Sequence, residues 1–422
     1  MTGSRRDMAG AAGSTGDTSD RGDRGINTRL VEAGRRPEWT GPVVNPPVWR
    51  ASTHLYDSVE DKLSAQGTNA DGTFFYGRRG APTQWALADA LTGLEPDAHG
   101  TVLYPSGVAA LAGAMLTVLS PGDTILISDN AYEPSRNLGT GLLKRMQITA
   151  RFFDPFDISA YTAMLEDGAK AVLLESPGSL TMEICDVPRL AGLARQYGAV
   201  SLIDNTWATP IAFPALAHGC DIAIMSLTKH VGGHSDVMMG CASAGKRWHA
   251  RLRTTAQALG HVVSPDDAAL VSRGLRTMGV RLKQQGETAL AIARHLADHP
   301  QVARVLCPML EGSDGHDLWQ RDFTGGCGLF SIVLATRDDA ARARFVDALE
   351  LFGIGYSWGG YESLALPFDP APIRSAMDWP PASWQQDGGR ETGGDLPVRL
   401  AIGLEDAHDL IADLDRALEQ MG

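Results

Sequence analysis

The sequence predicts an α/β protein with a mostly parallel central sheet and a smaller C-terminal α+β domain, on three observations. Short, nearly continuous apolar runs recur at Thr124-Ile125-Leu126-Ile127, Ala171-Val172-Leu173-Leu174, Val200-Ser201-Leu202-Ile203 and Ile222-Ala223-Ile224-Met225. Helical patterns such as Val187 to Gly198 lie between them, so the rhythm is βαβ and the sheet is covered on both faces. After about Arg276 the pattern changes to a long mixed helix followed by separated strands and helices, which reads as a second domain.

Residues 1 to about 25 carry almost no large apolar side chain, and ordering them would cost entropy that nothing offsets, so a disordered tail is expected. Asp7, Asp17, Asp20 and Asp23 do not suit an organelle transit peptide. Gly100 to Gly122 contains no formal charge, but Tyr104-Pro105-Ser106-Gly107 divides it into a strand and an apolar helix from Val108 to Leu119. That helix is expected in a core and not in a bilayer. In the second domain the long helix runs through Glu287 and His295, with a strand at Gly328 to Leu334 and a helix near Ala340 to Leu351. Pro380 to Gly394 reads as an exposed loop, Val398 to Ile402 as a strand, and Leu410, Ile411, Leu414 and Leu418 as one face of a closing helix.

At 422 residues, with 44% hydrophobic and 21% charged side chains, the chain can bury a sizeable core. Its net charge of −13 repels phosphate backbones and anionic bilayers, so neither nucleic acid nor a membrane is an expected partner. The cysteines Cys185, Cys220, Cys241, Cys307 and Cys327 are odd in number and widely spaced, so no metal site and no disulfide framework is expected, and a reducing cytoplasm fits.

Ligands of a parallel sheet sit at the carboxyl ends of its strands. Ser106-Gly107 opens a helix whose free amides at Gly107 and Val108 could receive a phosphate. Asp204 follows an apolar strand, where a carboxylate needs a cationic or protonated partner. Lys229, preceded by the hydroxyls of Ser226 and Thr228, also follows a strand, and in low-dielectric surroundings its neutral amine could attack an aldehyde. Pyridoxal phosphate would use all these parts: amides and hydroxyls for its phosphate, a carboxylate for its ring nitrogen, an aromatic such as Tyr132 for its ring face, and the lysine for its aldehyde.

Other motifs weigh less. Ser226-Leu227-Thr228-Lys229 fits S-x-x-K and Ser128-Asp129-Asn130 fits S-D-N, but their order and the absence of K-T-G disfavour a serine acyl-enzyme. Gly240 to Lys246 resembles a phosphate-binding loop, yet Arg247 stands where Ser or Thr would hold magnesium. His230 and His234 are four apart with Gly232-Gly233 between, which disfavours a helical zinc site.

Tyr76-Gly77-Arg78-Arg79-Gly80, Tyr132-Glu133-Pro134, Glu175-Ser176-Pro177-Gly178-Ser179, Asp204-Asn205-Thr206-Trp207, Thr228-Lys229, Gly233-His234-Ser235-Asp236, Ser272-Arg273-Gly274-Leu275-Arg276-Thr277, Tyr356-Ser357-Trp358-Gly359-Gly360-Tyr361-Glu362-Ser363 and Ile402-Gly403-Leu404-Glu405-Asp406 occur in one order. In them the chain, from about Thr28 onward, resembles the Cys/Met-metabolism family of pyridoxal-phosphate-dependent enzymes of fold type I, the aminotransferase-like fold.

The resemblance implies pyridoxal 5'-phosphate as cofactor, with Lys229 the lysine that condenses with it, Asp204 the partner of its ring nitrogen and Tyr132 stacked on its ring. It implies Gly107, Val108, Ser226 and Thr228 around the phosphate, joined by Tyr76 and Arg78 from a neighbouring subunit, in a homotetramer built from two active dimers. Arg399 would clamp the substrate carboxylate beside Tyr356, Ser357 and Trp358. The implied organisation is an arm at 26–80, a cofactor domain at 81–275 and a C-terminal domain at 276–422. The implied reaction is carbon–sulfur β-elimination, with L-cystathionine as substrate and methionine biosynthesis as its setting. Relatives acting at the γ-carbon carry Glu where Tyr356 stands and commonly Asn where Ser179 stands, and both departures favour the β-carbon. Cysteine or cystine β-lysis, γ-elimination or γ-replacement, and a non-catalytic binder of the same cofactor are the alternatives.

Overall fold

Strand after strand of the apolar runs assembles into one large sheet. The computed structural model describes residues 24–66, 69–381, 384 and 395–421. The expected tail lies outside these residues as far as 23, as does most of the expected loop at 380–394. The sheet contains β1 (Gly100–Tyr104), β2 (Thr124–Ser128), β3 (Thr149–Phe153), β4 (Ala171–Glu175), β5 (Val200–Asp204), β6 (Ile222–Ser226) and β7 (Gly240–Ala244). Their spatial order is β1-β7-β6-β5-β4-β2-β3. Pairing is parallel from β6 through to β3, and only β7, between β1 and β6, runs antiparallel. Interior residues such as Leu173, Leu202 and Ile203 are fully buried, as continuous apolar strands demand when helices cover both faces.

The segment resembling a phosphate-binding loop is therefore strand β7 itself, followed by a helix at Lys246–Ala258, and it has no cradle geometry. The apolar segment after β1 is the helix Gly107–Val118, capped by Ser106, whose side chain accepts the Ala109 amide at 3.1 Å. Among the described residues no helix is long and apolar enough to cross a membrane.

A second sheet, of order β10-β11-β12-β9-β8, forms the smaller domain from β8 (Val302–Leu306), β9 (Leu329–Leu334), β10 (Gly353–Ile354), β11 (Leu364–Pro367) and β12 (Leu396–Ala401). A 33-residue helix, Pro265–Ala297, crosses the expected 275/276 division and carries its apolar face from one domain into the other. The closing helix Ala407–Glu419 buries Leu410, Leu414 and Leu418, while Ile411 lies at the edge of that face.

Ser128-Asp129-Asn130 turns out to be a latch between the two domains. The Asp129 carboxylate accepts the amides of Ser375, Ala376 and Met377 at 2.8–3.2 Å, the Ser375 hydroxyl at 2.9 Å, and the Arg136 guanidinium. Burial alone would raise this acid, but the donated bonds from Ala376, Ser375 and Arg136 outweigh it and hold Asp129 below the usual carboxylate range. Asp129→Ala removes both carboxylate oxygens at once and leaves the buried Arg136 guanidinium without its anion, bonded only to the Asp129 carbonyl and the Ser375 hydroxyl. A loss of about 3–5 kcal/mol is expected in a denaturant melt, and a midpoint equal to the parent's would show that the latch carries no weight.

Candidate active site

The carboxyl edge of the large sheet gathers most of the expected residues. β5 ends at Asp204 and β4 at Glu175, and the two are direct partners in the parallel register, so both carboxyls leave the sheet side by side on one face. Asp204 accepts the Thr206 amide at 3.1 Å and the Thr206 hydroxyl, and that same hydroxyl oxygen accepts the Ser226 amide at 2.9 Å. Burial pushes the Asp204 carboxyl up, opposed by the Thr206 bonds and the charge of Lys229. Tyr132 precedes the helix Glu133–Asn137, donates its backbone N–H to Glu175 Oε2 at 2.7 Å and is 42% exposed, so its ring is open to a ligand.

Beyond β6, the Lys229 amide returns to the Ser226 carbonyl at 3.2 Å, which sets the lysine in a turn at the strand end. Its Nζ donates to Ser357 Oγ at 2.6 Å and lies 5.4 Å from the centre of the Trp358 ring. Burial first, and the neighbouring Arg399 cation second, push the Lys229 ammonium down to about 8, with Asp204 opposing. A lysine so placed yields its neutral amine near neutral pH.

Arg399, in the middle of β12, donates Nη2 to the Ser357 carbonyl at 2.9 Å. Its Nε is buried without a partner, and it makes no ion pair among the described residues. Burial brings it down to about 10, so it remains a cation at neutral pH. A buried guanidinium with donors to spare is a receptor for a carboxylate. Ser357 has φ of 79°, a left-handed backbone that turns its hydroxyl and carbonyl to Lys229 and Arg399 at once. Tyr356 beside it is 86% exposed.

The glycines at the edge mark a close approach. A Cβ on Gly107 would sit 2.8 Å from that of Ser226, and one on Gly240 would sit 2.4 Å from the Ser106 carbonyl oxygen. The first-turn amides of Gly107 and Val108 have no carbonyl within their helix, and Ser226 Oγ has no hydrogen-bond partner among the described residues. These three groups fit a phosphate. Thr228 is differently occupied: its hydroxyl donates to the Met239 carbonyl at 3.2 Å and accepts the Met239 amide at 2.9 Å. With a carboxylate for the ring nitrogen, an open aromatic and a low-lying lysine, the donor set fits pyridoxal phosphate.

Tyr76 and Arg78 stand apart. Arg78 donates to the Gln257 carbonyl at 2.8 Å, Tyr76 is 47% exposed, and no hydrogen bond or ring contact joins either to the Lys229 group. Trp207 is a core residue whose indole donates to the Leu329 carbonyl at 3.0 Å, whereas Trp358 faces Lys229. His230 is buried against Trp358, with ring centroids 5.2 Å apart, and no group of metal-ligating residues occurs among the described residues. Glu175 is the residue that reading along the sequence left without a role, since only the register places it beside Asp204.

Fold and donor set together define a pyridoxal-phosphate-dependent enzyme of fold type I. The family model of Cys/Met metabolism PLP-dependent enzymes matches residues 27–419, and the chain belongs to that family. It is 44% identical over 393 residues to cystathionine beta-lyase MetC of Escherichia coli (strain K12), covering 92% of this chain and 97% of that one. It is likewise 44% identical to cystathionine beta-lyase of Salmonella typhimurium, with the same coverage of 92% and 97%. A crystal structure of cystathionine gamma synthase from Xanthomonas oryzae pv. oryzae superposes with a TM-score of 0.82 at 33% identity, over 94% of this chain and 98% of that one.

Proposed function

We propose that the chain is a carbon–sulfur β-lyase that cleaves L-cystathionine to homocysteine, pyruvate and ammonia, a step of methionine biosynthesis. The observation that carries the reading is the convergence of Lys229, Ser357 and Arg399 from different domains, with the lysine amine 2.6 Å from the serine hydroxyl and the arginine 2.9 Å from the serine carbonyl. When bound, pyridoxal phosphate supplies an aldehyde for the substrate amine and an electron sink for charge developing at Cα. Arg399 binds the α-carboxylate, with Tyr356, Ser357 and Trp358 around the substrate. Lys229 removes the Cα proton. Asp204 would hold a proton on the ring nitrogen, and Tyr132 would cover the ring face. The Cβ–S bond would then break, the thiolate would take the proton held on Lys229 and leave as homocysteine, and water would convert the three-carbon remainder to pyruvate and ammonia.

Gly107, Val108 and Ser226 serve the phosphate, with Thr228 bracing the turn from which Lys229 projects. Tyr76 and Arg78 complete the phosphate site of a neighbouring subunit, in a homotetramer of two active dimers. The arm at 26–80 supports this, because Val43, Val44, Leu55, Val59 and Leu63 are exposed on it and a second copy would cover them. The cofactor domain at 81–275 and the C-terminal domain at 276–422 meet at the Lys229–Ser357 contact. The five cysteines are all buried and unbonded, which supports a cytoplasmic setting.

Products decide the reaction. Purified protein supplied with the cofactor is expected to release pyruvate from L-cystathionine, and predominant 2-oxobutyrate would instead assign cleavage at the γ-carbon.

A further inference from the structure

The pairing of Glu175 with Asp204 poses a charge problem. Two carboxyls leave adjacent parallel strands in register on the same face, and neither makes an ion pair among the described residues. Side-by-side carboxyls in a partly dry site cannot both ionise without a large penalty, so one of them keeps a proton. The surroundings say which. Asp204 accepts two bonds from Thr206 and faces the Lys229 ammonium, all of which favour its anion. Glu175 accepts a single amide, that of Tyr132, at 2.7 Å. The Arg374 guanidinium that reaches toward Glu175 is already paired with Glu183 at 3.2 Å and bonded to Thr181.

We propose that Glu175 is a positioning residue: a neutral carboxylic acid that fixes the Tyr132 backbone and leaves Asp204 as the single anion at the ring-nitrogen side of the site. Its direction of titration agrees, for burial and then the Asp204 charge push Glu175 well above the usual carboxylate range, opposed by the Tyr132 amide and Arg374. Glu183 adds a further repulsion in the same direction. A second anion at this place would compete with Asp204 for the ring-nitrogen proton, and a shorter or apolar side chain would release the residue that covers the ring. Glutamic acid in its neutral form meets both demands.

The inference rests on the cofactor reading of Asp204 and Tyr132, and the test separates the two. In the cofactor-free chain, the infrared difference spectrum of parent minus Glu175→Gln is expected to contain the carbonyl stretch of a protonated carboxyl at neutral pH. In the loaded enzyme, Glu175→Ala is expected to lower cofactor affinity and to lower kcat/KM about 10–100-fold through misplacement of Tyr132. Glu175→Gln, which keeps the acceptor without a charge, is expected to restore most of both. The proposal is overturned by absence of the carboxyl band, by a Gln variant as defective as the Ala variant, or by an Ala variant equal to the parent. A protein that shows the band and the affinity pattern yet releases no pyruvate supports the proposal and refutes only the lyase assignment.

Discussion

Lys229→Ala is expected to lower pyruvate release by about 10⁴-fold or more while leaving the fold intact, because the proposed function makes one side chain both the cofactor's anchor and the base at Cα. Turnover of L-cystathionine by stopped or continuous assay measures the loss, and the visible absorption of the bound cofactor reports the anchor separately. Retention of more than a tenth of the parent rate would remove Lys229 from both roles. The amine's reactivity provides a second readout in the cofactor-free parent. Burial and Arg399 bring its ammonium down to about 8 from an ordinary 10.5, so acetylation of Lys229 followed by mass spectrometry is expected to rise with pH around 8. The sign for stability follows from the same shift. Between about 8 and 10.5 the unfolded chain holds a proton at this lysine that the folded chain has shed, so folding gains stability as pH rises through that window. The Ala variant lacks that gain.

What could be read along the chain was whatever a single strand or helix end displays. Asp204 and Lys229 each follow an apolar run, and Ser106-Gly107 opens an apolar helix, so strand ends and a possible phosphate cradle were legible from local pattern. β7 escaped because Gly240-Cys241-Ala242-Ser243-Ala244 has none of the β-branched bulk that marks a strand, and Gly240 stands where the Ser106–Gly107 backbone comes too close for a side chain. Contacts across the sheet or between domains were not legible locally. The Glu175–Asp204 pairing depends on register, and the Ser357 bonds to Lys229 and Arg399 depend on how two domains dock. For Arg399 and Ser357 it was resemblance to the family, and not pattern, that pointed to these positions, which the fold brings beside Lys229. Asp129 shows how little a short motif weighs alone: S-D-N matches there, its order already disfavoured acyl-enzyme chemistry, and the carboxylate is engaged in joining two domains.

Arg399→Leu is expected to raise KM for L-cystathionine and to lower kcat/KM about 10²-fold, the equivalent of about 3 kcal/mol for losing the charge-assisted bonds to the α-carboxylate that the proposed function assigns to it. Two consequences distinguish this from general damage to the site. Arg399 depresses the neighbouring lysine, so its removal should carry the pH midpoint of Lys229 acetylation upward from about 8 toward the ordinary lysine range. Arg399→Lys keeps a cation but not the planar fork, so its KM is expected to rise while the Lys229 midpoint stays close to the parent's. If the Leu variant bound substrate normally, the carboxylate would have to be held elsewhere. If both variants shifted the midpoint equally, the effect on Lys229 would come from the lost support of the Ser357 carbonyl and not from charge, because that is the bond the two variants can lose in common.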